Sequence, residues 1–588
     1  MAQQQTVADT SIVGDGEDYD GLSSTAPHQV NPEDLHSDDG VNPNDDTLPL
    51  DSDPPDHSTI LYAEAVTDGF LAMQSQNVPQ VPNSFQSVAT DFDRNIDFLR
   101  FVQQWVYRTN MPLDRFPFPR TSLRTDRVRL WTPPQEVLRE HLDGERCDVQ
   151  GMNWESFGVP RGMAMATQME TYGNYTSRGV YGGNVTTTRP NPCGSSLEAG
   201  PELFQFRSFR IQPRARLTHF QLRHLLSAAS RYEVYYAGNA RVFSYNGAHG
   251  GVEAVMDLTK RPYGMDKPEA MRIMCLSATD GVLVAGGYAG DYALLNLRSS
   301  AEPGPAPTRG VVSQADGITN HVHTSFGRSS TYPRAVFSSN DNKIRVLDCN
   351  TDTFIHKQEM EVAVNCAATS ADGRWRVTVG DEIVATISDA ETGRVCHRLE
   401  GHRDHGFACA WADDNVLVAT ASQERKVCIW DARNFSRPLT RIRSAIGAVR
   451  CLQFSPVGSG PRSLLMMEAA HTFSIVDARL FRQEQRCTQF GQLSGAGFTP
   501  EGDNIFIANS DPSVGGVMHY ERGTITKQFD KRRSFDEEHD DHDNDNDDDD
   551  DDDDEDEDED EDEDPSSSSR QPKPSGVRRT TTNPGLVL

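Results

Sequence analysis

Among the 588 residues there is no Cys-x-x-Cys pair, no apolar run near the ~18 residues that a membrane-spanning helix needs, and no charged-then-apolar leader. The ten cysteines are scattered between Cys147 and Cys487, and Cys409, Cys428 and Cys451 sit inside apolar runs. That usage reads as reduced, buried thiols of an intracellular protein in the nucleus or cytoplasm, with no membrane partner. Signatures of catalysis are missing as well: no P-loop, Gly-x-Ser-x-Gly elbow, His-Glu-x-x-His helix or dinucleotide fingerprint occurs. No catalytic residue, cofactor or metal is therefore expected. His321 and His323 alternate along one strand-like segment, but no cysteine or carboxylate cluster accompanies them in the sequence, so they read as a polar strand edge.

Basic residues are absent from two long stretches. Residues 1–93 carry 18 acidic side chains and no Lys or Arg, and residues 536–564 carry 25 acidic side chains in 29 positions. The net charge of −32 is thus a property of the ends, and residues 94–535 alone are +7. Segments of this kind bury too little apolar surface to offset their ordering entropy, so residues 1–90 and 526–588 are expected to be disordered. The acidic run has three readings: a solubilising tail, a trap for basic proteins such as histones or ribosomal proteins, or a segment that folds back on the basic middle. His539 and His542 within it are expected to bind divalent cations only loosely. Lys531-Arg532-Arg533 and Arg578-Arg579 are candidate nuclear-import clusters. Direct nucleic-acid binding is not expected.

Between the ends, Ile96, Leu99, Val102 and Val106 stand at helical spacing after a capping Asp93. Prolines from Pro112 to Pro134 predict an extended connector, and a short helix is predicted around Arg161–Tyr172. Residues 91–200 then form an irregular, partly helical extension. From residue 201 to 525 short apolar runs recur, punctuated by Gly, Asp and Asn. Runs closing at Asp348, Asp389, Asp431 and Asp477 are 41, 42 and 46 residues apart, and equivalents close near Tyr245, Asn296 and Tyr520. The upstream spacings are longer, about 51 residues, and seven units with a period otherwise of roughly 40–45 residues are the pattern of a closed, all-β, seven-bladed propeller. Leu203–Ile211 alternates ahead of the first unit and is assigned to close the ring.

Residues 401–433, GHRDHGFACAWADDNVLVATASQERKVCIWDAR, resemble one complete repeat of the WD40 family. The resemblance maps the family's hydrogen-bonded chain onto His402, Thr420, Glu424 and Trp430, with Glu424 where Asp is usual. A longer stretch resembles an uncharacterised fungal and plant WD40 family with a short domain of unknown function. It runs through DVQGMNWESF at 148–157, HFQLRHLL at 219–226 and SNDNKIRVLD at 339–348. That likeness implies the fold and an intracellular setting, and supplies no reaction.

VATASQERKVCIWDAR, residues 418–433, also resembles the box by which some WD40 proteins dock on the adaptor of cullin-4 ubiquitin ligases. Asp431 and Arg433 are its candidate docking residues, and Asp477 and Arg479 repeat the pair one unit later. Many repeats carry Trp-Asp-x-Arg as ordinary blade chemistry, with the Arg pairing locally. The first expectation is a non-catalytic scaffold for other proteins. The alternatives are a substrate receptor of a cullin-4-type ligase and an acidic-tail chaperone for basic nuclear proteins.

Overall fold

The computed structural model describes residues 97–107, 124–172, 196–212, 214–260, 270–298, 306–314 and 317–523. Both acidic ends lie outside them, as does Asp93.

The short apolar runs become antiparallel strands, arranged as seven blades: five are separate four-stranded sheets, and the last two belong to one nine-stranded sheet because they share a strand. The third strands are Arg241–Asn246, Asp291–Asn296, Lys343–Asp348, Val384–Asp389, Lys426–Asp431, Ala470–Asp477 and Gly516–Arg522. Each contains or ends at the residue that marks its unit in the sequence. Period-2 alternation alone cannot explain the second strands. Val282–Gly287, Leu417–Ser422 and Asn504–Asn509 are buried at every position, because a blade packs against neighbours on both faces. The innermost strands neighbour one another in chain order, and that of the seventh blade, within Gln483–Phe498, meets that of the first, Leu226–Ala228. The ring is therefore closed.

Two devices close it. Phe204–Arg210 pairs with Gly516–Arg522, setting Phe206 opposite Tyr520 and Phe209 opposite Met518, so a strand from before the first blade completes the last. Phe204, Phe206 and Phe209 are buried among Leu493, Phe498, Ile505 and Ile507. Burial of that kind contributes roughly 1.5–3 kcal/mol per side chain. The second device is the 16-residue strand Gln483–Phe498, which leaves blade six as its outer strand and enters blade seven as its inner one. At the crossing, Gly491 has φ +110°, and a Cβ there would stand 2.5 Å from Asn509 Oδ1. Only glycine turns the chain in that space.

The extension departs from its sequence reading in three places. Helix α1 is Phe98–Tyr107, and Asp97 accepts from Arg100 N at 2.8 Å. Its buried face is Phe98, Phe101 and Val102, while Leu99, expected on that face, is exposed. The two phenylalanines prevail because Phe490 of the propeller offers them an aromatic surface, 5.1 Å from Phe98 and 6.5 Å from Phe101 between centroids. The proline-rich stretch read as an extended connector contains helix α2, Thr125–Leu130. Glu136–Leu138 was not anticipated and pairs with Phe204–Arg210 as a fifth strand on the last blade. Helix α3, Trp154–Phe157, precedes α4, Arg161–Thr171, which falls where a short helix is predicted.

The segment from Asp148 to Arg161 fastens this extension to the ring. Buried Asp148 accepts from Trp154 Nε1 at 2.8 Å, from Arg161 Nε at 3.0 Å, and from the backbone of Gln150 and Met152. Gln150 Nε2 then donates to the carbonyls of Phe490 and Val514 at 2.9 and 2.8 Å. A carboxylate buried this deeply is stable only because every lone pair direction is used.

Candidate docking rim and central channel

Blade five consists of Gly406–Trp411, Leu417–Ser422, Lys426–Asp431 and Thr440–Arg443. Trp430 is fully buried, so its indole N–H needs a partner, and it donates to Thr420 Oγ1 at 3.0 Å. That hydroxyl lies 2.8 Å from His402 Nε2, and His402 Nδ1 lies 3.2 Å from Glu424 Oε1. Glu424 also accepts from Arg403 N and Lys426 Nζ, each at 3.1 Å. Burial raises the Glu424 pKa, but the bonds from His402 and Lys426 outweigh it and hold the carboxyl below its ordinary value. The longer side chain of Glu still reaches His402. These four residues join two strands, the turn between them and the loop that opens the blade, and none of them faces outward.

The rim at the ends of the third strands is different. Arg433 keeps 75% of its side chain exposed, yet its Nε and Nη2 bond the two oxygens of Asp431 at 2.8 and 2.7 Å. Together with the Arg433 N–H this pulls the Asp431 pKa down to about 2. Asp477 accepts from Arg479 N at 3.1 Å one blade later. Between the two turns lies a shallow groove of about 720 Å³, lined by Leu417, Leu439, Arg462, Arg479, Leu480 and Arg482. Leu439 is 57% and Leu480 68% exposed. Sequence reasoning picked out the Asp-x-Arg pairs and missed the leucines. They belong to turns, where no periodicity marks which face they take.

The channel at the centre of the ring holds a cavity of about 480 Å³. His321 and His323 lie on the inner strand of blade three, Thr319–Phe326, and Cys366 on that of blade four, Val364–Thr369. His224 comes from the segment leading into blade one, bridged to Cys275 on the inner strand of blade two. Ligand atoms of His224, His321 and Cys366 all lie within 4.8 Å of one another. The sequence set the histidines aside for lack of an accompanying cysteine, and the fold brings one from the next blade. Cys275, His321, Cys366 and Cys451 each follow the register break of their inner strand. Aligning the units on that break, and not only on their third strands, would have placed His321 and Cys366 side by side. Burial, and then the neighbouring His321, lower the His224 pKa to about 3. Burial opposes ionisation of Cys366, but hydrogen bonds from Cys409 and His321 outweigh it and hold the thiol well below its usual range.

The family model "WD domain, G-beta repeat" matches residues 393–431, the stretch that ends on Trp430 and Asp431. With seven blades in a closed ring, the fold is a seven-bladed β-propeller of the WD40 type, and residues 393–431 match a WD40 repeat. It is 23% identical over 315 residues to Uncharacterized protein C4G3.03 of Schizosaccharomyces pombe, covering 50% of this chain and 85% of that protein. Protein HIR1 of Mycosarcoma maydis is 31% identical over 103 residues, 15% of this chain and 10% of that one. A chain in a crystal structure of the mitotic checkpoint complex shares 15% identity at a TM-score of 0.43, covering 58% of this chain and 97% of its own.

Proposed function

We propose that the protein is a non-catalytic scaffold, acting in the nucleus or cytoplasm, that docks other proteins on the rim between blades five and six. One observation carries this reading. Two large leucines stand mostly exposed in one groove flanked by Arg462, Arg479 and Arg482. Exposed apolar side chains gathered in one concave, polar-rimmed place favour a partner that removes them from water. The arginines select a segment that carries carboxylates beside an apolar anchor. The test is a Leu439→Asp/Leu480→Asp double variant of the full chain. Its melting temperature should match wild type, because neither side chain is in the core, while its co-purifying proteins should be lost. An unchanged partner set would overturn the reading.

Docking on a cullin-4 ligase adaptor through Arg433 is the narrower alternative, and it is supported by the exposure of that side chain on the same rim. An adaptor would have to share or displace the bond to Asp431. Arg433→Ala should then remove adaptor co-purification alone, and unchanged adaptor binding would sink it. Capture of basic proteins by the acidic run rests on its charge. Deleting 536–564 should release those partners, and rising salt should weaken them in the intact chain.

A further inference from the structure

We propose that His224, His321 and Cys366 form a zinc-binding site inside the central channel. Three chain segments far apart in sequence contribute one donor each, and the donor atoms lie within 4.8 Å of one another. Zinc takes imidazole nitrogen at about 2.0–2.1 Å and thiolate sulfur at about 2.3 Å, which sets donors on one ion about 3.3–3.6 Å apart. The ion would therefore draw the three atoms together by at most about 1.2–1.5 Å, within reach of side-chain rotation.

A second observation points to a ligand. His224 is nine-tenths buried, and its Nε2 has no hydrogen-bond partner. A buried imidazole nitrogen left in that state costs free energy that coordination would recover. The His224 and His321 rings are 4.4 Å apart between centroids, at 65° to each other, edge to face and not stacked. Nor is His321 fully committed, since Ala367 N reaches its Nδ1 only at 3.5 Å. Two imidazoles and one thiolate suit a borderline-soft cation and leave a fourth position toward the cavity. Ca²⁺ and Mg²⁺, which take oxygen ligands, do not fit this donor set. The bound ion would tie the entry segment of blade one to blades three and four across the middle of the ring.

The test uses the full-length chain, stripped with a chelator and titrated with Co²⁺ as a spectroscopic stand-in. A thiolate-to-cobalt charge-transfer band saturating at one equivalent is expected, together with displacement by Zn²⁺. Coordination by the acidic run produces no such band, because carboxylates and imidazoles lack the sulfur donor. Cys366→Ser should abolish the band. Cys451→Ser, at the equivalent position of blade six, should leave it intact. Zinc should raise the melting temperature of wild type and not of Cys366→Ser, as ligand linkage requires. His321→Gln, kept only if its ring melts cooperatively, should weaken cobalt binding at least tenfold. Absence of the band in folded wild type, or its survival in Cys366→Ser, would overturn the proposal. So would stoichiometric Cu⁺ binding through Cys366 with no response to Co²⁺ or Zn²⁺.

Discussion

Thr420 sits where one atom serves two buried partners, so Thr420→Val is a sharp test of what holds blade five together. Its hydroxyl oxygen is 3.0 Å from Trp430 Nε1 and 2.8 Å from His402 Nε2, and Thr420 and Trp430 are fully buried. Valine matches the shape but offers neither partner anything. Leaving a buried polar group unpaired costs about 1–3 kcal/mol, so two of them cost about 2–6 kcal/mol. The added methyl returns about 0.8 kcal/mol, leaving a net loss of about 1–5 kcal/mol. Urea unfolding followed by far-ultraviolet circular dichroism measures this without relying on Trp430 itself as the probe. Folded-state spectra should be unchanged and the midpoint lowered. A variant within about 0.5 kcal/mol of wild type would refute the reasoning, since it would mean that the Trp430 and His402 bonds contribute nothing net.

Trp430→Ala should destabilise by roughly 3–5 kcal/mol through the cavity it leaves, and lower the yield of every partner together. Loss of a single interaction at unchanged melting temperature would make Trp430 a contact residue. Stability should also fall on acidification. Burial lowers the pKa of His471 to about 4 and of His519 to about 3, below the ~6.5 of an unfolded histidine. The unfolded chain therefore takes up protons that the folded chain refuses. Stability is complete above about pH 6.5 and drops as pH falls toward the folded values, by about 2 kcal/mol per histidine at pH 5. Melting temperatures between pH 8 and 5 check this, and His519→Gln, which keeps a partner for Asn504 Oδ1, should flatten the slope. A flat profile in wild type would refute it.

The ring was legible in the sequence because each blade must reuse the same hydrogen-bonding and packing solution. Apolar runs recurring every 40 to 50 or so residues mark the seven third strands, and Leu203–Ile211 marks the closing one. The His402–Thr420–Glu424–Trp430 chain was placed by the resemblance of residues 401–433 to a WD40 repeat, and hydrogen bonds join these residues in blade five. The extension was less legible. Leu99 and Phe98 are equally apolar, and only the surface of Phe490 decides which of them is buried. Two further things were left to tertiary structure alone. Leu439 and Leu480 become one exposed groove because two separate turns end on the same rim. His224, His321 and Cys366 become neighbours because closing the ring folds segments about 45 to 140 residues apart onto one axis. Local sequence carries the pattern of a strand and its partners within a blade. Which side chains the closed ring gathers at its centre depends on the number of blades and the register of every inner strand at once, so no single blade's sequence decides it.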